Sequence, residues 1–379
     1  MKKRKILFIL ESRATYGYSK NVIKAIKDFP NLSFKTLLTG SHLSSKFGRS
    51  INEIINDKIS IDEKVKFEIT KKSPLWSYNM GIAISKFSKI IHRIKPDIVL
   101  IFGDRIESLS VCISAVYMNF PVAHVQAGDK SGHIDDAARY AIAKLAHIHF
   151  ASCEDSKKRL ENLGEQRFRI FDTGAPQLDN INEDSEKYEF KNLSTKKFVS
   201  KDFILVIFHP IMTEIDLVGE YMNNILKNCF ALDSNVICIF PNTDLGSDKI
   251  LSVINSYKLK KLKVFRNIRR ELFLNLLKNC TFLIGNSSAG ILEAPSFKKP
   301  VINVGIRQRG RPQSKNIVNC SYSFNSIRLA IKKVLNPNFR DICLNVENLY
   351  GDGKSGKRIC KILEKISLDK KLLDKKTVY

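Results

Sequence analysis

The chain has 379 residues, about twice the length of one domain, with 44% hydrophobic and 27% charged residues and only 18 Gly and 11 Pro, so collagen-like, low-complexity and mostly disordered classes are excluded and two cores are expected. Lys and Arg outnumber Asp and Glu by 63 to 38, a net charge of +25 that would suit nucleic acid, anionic lipid or a phosphorylated substrate. The basic residues cluster only locally, at Lys2 to Lys5, Lys298-Lys299 and the tail from Lys370; with no zinc-finger spacing and no aromatic-interleaved basic strand, a solvated basic surface is expected and a nucleic-acid partner is not.

The opening Met-Lys-Lys-Arg-Lys and the apolar run 6–10 imitate an export signal, but Glu11 and Arg13 stop the run, which reads as a buried strand. No apolar run approaches the roughly 20 residues of a membrane span. The eight cysteines are scattered singly without a C-x-x-C pair, so a disulfide framework and a zinc site are not expected and a reducing cytoplasm is. Cys112, Cys153 and Cys238 lie in apolar stretches and read as buried structural thiols.

Short β-branched runs then alternate with helical patterns, the sequence form of βαβ units. Strands are predicted at 5–10, 34–38, 97–102, 122–126, 147–152 and 169–172, with helices at 19–28, 80–94, 107–118 and 135–145, giving a doubly wound domain over residues 1–176. A polar stretch rich in Asn, Asp, Glu and Lys reads as a linker over 177–200. The second series has strands at 203–208, 236–240, 262–265, 282–284 and 301–304, with helices at 270–278 and 288–296, for a second domain over 201–357; a C-terminal helix and basic tail fill 358–379. The expected fold class is α/β, two Rossmann-like domains facing a cleft, with ligands at the carboxyl ends of the strands. No repeat of solenoid period is visible.

Candidate site residues fall at those strand ends. Gly285-Asn286-Ser287-Ser288-Ala289-Gly290 joins a strand to a helix start, whose free N–H groups form an anion site on one reading and an ordinary cap on the other. On the capping reading Glu293, in the next turn, is a favourable first-turn carboxylate. His209 closes the strand 203–208 and could donate to phosphate or act as an acid. Asp104, in Gly103-Asp104-Arg105, is an N-cap or an acid–base group, and one of Asp135 and Asp136 is expected to cap its helix. Carboxylates at two strand ends, Asp104 on one and Asp129, Asp135 and Asp136 on the other, could furnish general acid and base. Arg13 and the run Arg307 to Arg311 are candidate phosphate clamps. The segment 351–357 nearly matches a P-loop, but Arg358 stands where Ser or Thr must reach the metal and no strand precedes it.

Together, Ser12-Arg13-Ala14 with Tyr16-Gly17, Gly103-Asp104-Arg105, 124–129, 131–136, 144–149, His209-Pro210, 285–293 and 307–311 resemble the hydrolysing UDP-N-acetylglucosamine 2-epimerases of sialic-acid and legionaminic-acid pathways, a family of GT-B fold. The matching segments span most of residues 5–357 in family order. The resemblance implies a cytoplasmic homo-oligomer, dimer or tetramer, acting on a UDP-amino sugar for surface-polysaccharide biosynthesis, with no metal, nicotinamide or other cofactor. In that family the proton at sugar carbon 2 is removed and UDP expelled to give a glycal, and water then adds to yield the free 2-epimer, such as N-acetylmannosamine. Carried onto matching positions, Asp104 and Asp135 are the acid–base carboxylates, Arg13, His209, Ser287 and Ser288 hold the diphosphate and Glu293 holds the ribose hydroxyls; the N–H groups before Gly290, from the anion-site reading, and Arg311, from the basic run, complete the substrate-binding candidates.

The chain departs from the family at several of these positions. Many members carry glutamate where Gln126 stands, and a neutral amide cannot take a proton. Asp129, beyond the flexible Ala127-Gly128, is the residue expected to take part of that role. Thr15 replaces the usual acid before Tyr16, Ala127 the second glycine before Asp129, and Arg139-Tyr140 an Arg-His pair. These changes bear on sugar specificity more than on the nucleotide site. UDP-N-acetylglucosamine is the first expected substrate and a 2,4-diacetamido-trideoxy analogue the second; the alternatives are a retaining glycosyltransferase of the same fold and a UDP-sugar-binding sensor disabled at Gln126.

Overall fold

A computed structural model of the chain describes residues 3–43, 51–67, 76–130, 135–187, 198–199, 202–241, 246–266 and 268–378, without the side chains of Arg13, Ala14, Trp76, Asp135 and Met212. The chain divides into two compact units, one of Met1–Asp179 with Tyr350–Tyr379 and one of Asn180–Leu349.

The first unit contains β1 (Arg4–Leu10), α1 (Arg13–Ala25), β2 (Leu32–Leu38), α2 (Ile51–Asn56), β3 (Glu63–Lys64), α3 (Trp76–Ile94), β4 (Ile98–Phe102), α4 (Ile106–Val116), β5 (Val122–Ala127), α5 (Asp135–Leu145), β6 (Ile148–Ala151), α6 (Glu154–Asn162) and β7 (Ile170–Asp172). Its strands pair in parallel in the order β3-β2-β1-β4-β5-β6-β7. The order reverses between β1 and β4, the point where a doubly wound sheet opens a crevice at its carboxyl ends. β4 and β5 are buried throughout and β1 from Ile6 on, which is why they read as unbroken apolar runs rather than alternating ones. The two-residue β3 and the polar helix α6 carry no such run and were not legible.

The sequence pattern puts 350–357 in the second domain and sets 358–379 apart. Instead, residues from Tyr350 onward belong to the first unit, because the helix Ser355–Lys365 buries Ile359, Cys360 and Leu363 in the core that also holds Val22, Ile23 and Ile26. The Asp179 carboxylate accepts from the backbone N–H of Ser355 at 2.8 Å and of Gly356 at 2.6 Å. An internal carboxylate therefore takes two N–H groups at the start of this helix, so they are not open to a phosphate as those of a P-loop are.

The second unit carries β8 (Phe203–Ile207), β9 (Asn235–Ile239), β10 (Leu262–Phe265), β11 (Phe282–Gly285), β12 (Val301–Val304) and β13 (Ile317–Cys320), all parallel, in the order β10-β9-β8-β11-β12-β13. Its switch point lies between β8 and β11. The half-exposed edge strand β13 was not predicted. The expected linker is helical over Ile181–Glu186, where Ile181 and Ser185 are buried and Asn275 donates to the Ser185 carbonyl at 2.9 Å; residues 188–197 lie outside the described residues. The helix predicted over 288–296 breaks into Ala289–Leu292 and a 3₁₀ turn at Ala294–Phe297, as Pro295, which lacks an N–H, requires.

All eight cysteines are unpaired, seven of them buried, and burial pushes the Cys112, Cys238 and Cys280 thiols up to about 12. Among the described residues no helix is long and apolar enough to cross a membrane.

Candidate active site

In the first unit the candidate residues gather at the carboxyl ends of β4 and β5. Asp104 does not cap α4: Arg105 holds the cap position with extended backbone and no side-chain cap bond. Asp104 instead pairs with Arg139 from α5, whose other guanidinium nitrogen donates to the Gln126 carbonyl at 2.7 Å. Burial opposes the Arg139 charge, but Asp104, Asp129 and Asp136 outweigh it and hold the guanidinium protonated. His124 places Nε2 2.6 Å from the Gly103 carbonyl, and burial drives its pKa to about 3, so the ring is neutral and donates there.

Gln126 has φ +61°, a left-handed conformation inside a strand, at the point where the β5–β6 register shifts between Val125 and Ala127. A non-glycine residue there costs on the order of 1–3 kcal/mol and a bulge re-aims its side chain. The Arg139 hydrogen bond to its carbonyl holds this geometry in place. Asp129 is not left free by Ala127-Gly128: its carboxylate accepts from the Ser156 hydroxyl at 2.6 Å and the Ser152 hydroxyl at 3.1 Å.

Asp135 and Asp136 are the first two residues of α5, inside the helix and not at its cap, and the Asp135 side chain lies outside the described residues. Arg13 is the first residue of α1, and its side chain is likewise not described. Ser12 caps that helix, and Thr15 completes the capping box by accepting from the Ser12 N–H at 3.1 Å. The residue that replaces the family's usual acid thus has a structural use.

In the second unit Asn286, just beyond β11, organises the site. Its side chain accepts from the His209 N–H at 2.7 Å and donates to the His209 carbonyl at 2.8 Å, while its own carbonyl accepts from Arg307 at 3.1 Å and Gln308 at 2.9 Å. Burial, with the Arg307 charge, pushes the His209 imidazole to about 3, so it is uncharged and suited to one hydrogen bond to a phosphate oxygen. Gly285 has φ +141°, and a Cβ there would stand 1.9 Å from the Ile207 carbonyl oxygen, so only glycine lets β11 run so close to β8.

Ser288 is the cap residue of the short helix Ala289–Leu292 without its hydroxyl capping anything, and Ser287 Oγ accepts from the Ala289 N–H at 3.3 Å. Gly290 serves packing, since a Cβ would lie 2.8 Å from Val301 Cγ1. Glu293 is not a first-turn carboxylate: it follows the helix and is buried, so desolvation raises its pKa, opposed by Arg270 at 3.4 Å and by Arg311. Sequence reasoning missed Asn286 as the organiser, although it stands inside the small-residue turn. It also gave Arg139 no partner, although Arg139 lies four residues after Asp135 on one helix face. Among the described residues no group of three or more His, Cys, Asp or Glu is placed to hold a metal.

Two parallel sheets, each with polar side chains at the carboxyl ends beside its switch point, define an α/β protein of the GT-B kind. The chain belongs to the UDP-N-acetylglucosamine 2-epimerase family, whose model matches residues 24–364. The UDP-N,N'-diacetylbacillosamine 2-epimerase (hydrolyzing) of Legionella pneumophila is 32% identical over 382 residues, covering 99% of this chain and 100% of that protein. The GDP/UDP-N,N'-diacetylbacillosamine 2-epimerase (hydrolyzing) of Campylobacter jejuni is 34% identical, covering 90% of each. The fold is similar to that of the Neisseria meningitidis UDP-GlcNAc 2-epimerase solved with UDP-GlcNAc bound, with TM-score 0.80 at 20% identity over 96% of this chain and 100% of that one.

Proposed function

We propose that the protein is a hydrolysing UDP-amino-sugar 2-epimerase whose preferred substrate is the UDP-linked 2,4-diacetamido-2,4,6-trideoxy sugar, with UDP-N-acetylglucosamine second. The carrying observation is the full-length relative whose name specifies hydrolysis and that diacetamido sugar, which reverses the order expected from the sequence alone. In the reaction a base takes the proton at carbon 2, the bond from carbon 1 to the diphosphate oxygen breaks with its electron pair leaving on UDP, and a glycal remains. Water then gives its oxygen to carbon 1 while a proton returns to carbon 2 on the opposite face, so UDP-sugar and water become the free epimer and UDP.

Asp104 and Asp135 carry the acid–base roles in this reading, and the Arg139 ion pair supports Asp104 as an ionised carboxylate. Arg13, His209, Ser287, Ser288 and Arg311 take the diphosphate and Glu293 the ribose, supported by the Arg307 guanidinium at the end of β11 and by the Ser288 hydroxyl, which makes no cap bond. The test is turnover of both UDP-sugars in heavy water, without acceptor, followed by NMR. Deuterium at carbon 2 with free UDP is expected, faster for the diacetamido sugar. Transfer only to an added acceptor would instead establish a glycosyltransferase, and binding without UDP release a sensor.

A further inference from the structure

Glu11 follows β1 at the first unit's switch point, and the residue is 1% exposed. Its Oε2 lies 2.5 Å from Ser108 Oγ, which also lies 3.0 Å from the Phe102 carbonyl oxygen. A serine hydroxyl has one hydrogen, and a carbonyl has none to give. With Glu11 ionised, two acceptors compete for that hydrogen. With Glu11 protonated, Glu11 donates to Ser108 and Ser108 donates to Phe102, so both contacts are satisfied.

The surrounding charges agree with this count. Glu107 is a second buried carboxylate, and Arg105 pairs with it through contacts of 3.1 and 3.2 Å. Gly40 lets the loop after β2 close over both acids, since a Cβ there would sit 2.7 Å from Glu107 Oε1 and 2.4 Å from the Glu11 carbonyl oxygen. From that loop His42 faces the pocket uncharged, because burial pushes it down to about 4. Among the described side chains, Arg105 pairs with Glu107 and its charge also reaches Glu11, while Asp104 adds negative charge nearby. Burial and then Glu107 push the Glu11 carboxyl up to about 8.

We infer that Glu11 is a positioning residue: as an uncharged carboxylic acid it donates to Ser108 and thereby ties the end of β4 to the first turn of α4, fixing the turn that carries Asp104. Phe102 ends β4, Ser108 lies in the first turn of α4, and residues 103–105 span the gap between them. The role rests on the reading of Asp104 as an acid–base group; the protonation of Glu11 does not.

The experiment compares wild type, Glu11→Gln and Glu11→Leu in the full chain, by turnover of the UDP-sugar and by melting temperature against pH. Glu11→Gln keeps a neutral donor and should hold kcat and KM within about twofold, whereas Glu11→Leu should lose about tenfold in kcat with KM within about twofold. A carboxyl whose pKa is raised on folding contributes stability that is full below pH 4.5 and lost as pH rises to about 8. The melting temperature of Glu11→Gln minus that of wild type should therefore climb between those values and level off above them. Glu11→Gln impaired as badly as Glu11→Leu, normal kcat in Glu11→Leu, or a melting difference flat with pH would each overturn the inference. If Glu11→Leu does not fold, rescue by Gln and the melting curves decide it alone. Absence of turnover in wild type would sink the functional reading and the positioning role with it, while the melting curves still report where the proton sits.

Discussion

The two units repeat one architecture and use it for opposite electrostatics. At the first unit's switch point the groups are acidic or paired with arginine: Asp104 pairs with the buried Arg139, Glu107 pairs with Arg105 beside the buried Glu11, and a strained residue sits between them and β6. At the second, an amide holds the backbone of an uncharged imidazole, hydroxyls and N–H groups open the helix, and arginines stand behind them. A site that moves protons needs groups whose charge can change, and such groups need buried counter-charges to set it. A site that grips an anion needs donors held rigid. The same sheet edge supports either, depending on which side chains its turns carry.

The largest effect should come from Arg139→Met. It leaves Asp104 without its partner and releases the Gln126 carbonyl, so stability should fall by about 3 kcal/mol in denaturant titration. Turnover should fall at least as far as in Asp104→Asn. That second variant keeps the shape and removes the charge: kcat should drop by about two orders of magnitude or more with UDP affinity within about twofold. Near-normal turnover in Asp104→Asn would erase the contrast between a proton-handling unit and a binding unit.

The sequence carried the fold well where physics is local. Buried parallel strands such as β1, β4 and β8 are continuous apolar runs, and their order implied two doubly wound sheets. It carried poorly what depends on distant contacts. The return of the chain from Tyr350 to the first unit rests on Ile359, Cys360 and Leu363 entering the core beside Val22 and on Asp179 meeting the helix at Ser355, and periodicity does not say which core takes that helix. The left-handed Gln126 is invisible because its strain is held from α5. Strand-end residues such as Asp104 and His209 were legible because they follow apolar runs. Their partners Arg139 and Asn286 were not, since pairing is a property of the folded sheet edge.

Predictions in the second unit test whether its donors are held rigid. Asn286→Ala removes two hydrogen bonds to the His209 backbone and should weaken UDP by about thirtyfold, roughly 2 kcal/mol, without changing how kcat depends on the sugar. Isothermal titration reads this directly, and unchanged affinity would mean that the His209 backbone is positioned by something else. Ser288→Ala should weaken UDP and pyrophosphate alike by about tenfold. Glu293→Ala should weaken UDP more than pyrophosphate, because only UDP carries a ribose. Equal losses for both ligands in Glu293→Ala would reduce that residue to the buried partner of Arg270.

The smallest effect sharpens the comparison most, because it asks whether Asp129 belongs to the proton-handling groups at all. Its carboxylate is engaged by the hydroxyls of Ser156, in the first turn of α6, and Ser152, at the end of β6. An ionised carboxylate only accepts, and here two hydroxyls hold it. Asp129→Asn keeps one oxygen and replaces the other by an NH2 that cannot accept, so one serine must turn from donor to acceptor while the residue's volume is kept. The expected cost is about 1 kcal/mol of stability, with turnover per folded molecule unchanged. In that case Asp129 secures the joint between β5 and α6, and the loss of a carboxylate at Gln126 is not made good from this position. Abolished UDP release in a folded Asp129→Asn protein would show the opposite, that the serines hold a working base in place. Gln126→Glu separates the two further: with Asp129 structural, a new carboxylate on the bulge should raise turnover if a base is missing, and it should change little if Asp104 and Asp135 suffice.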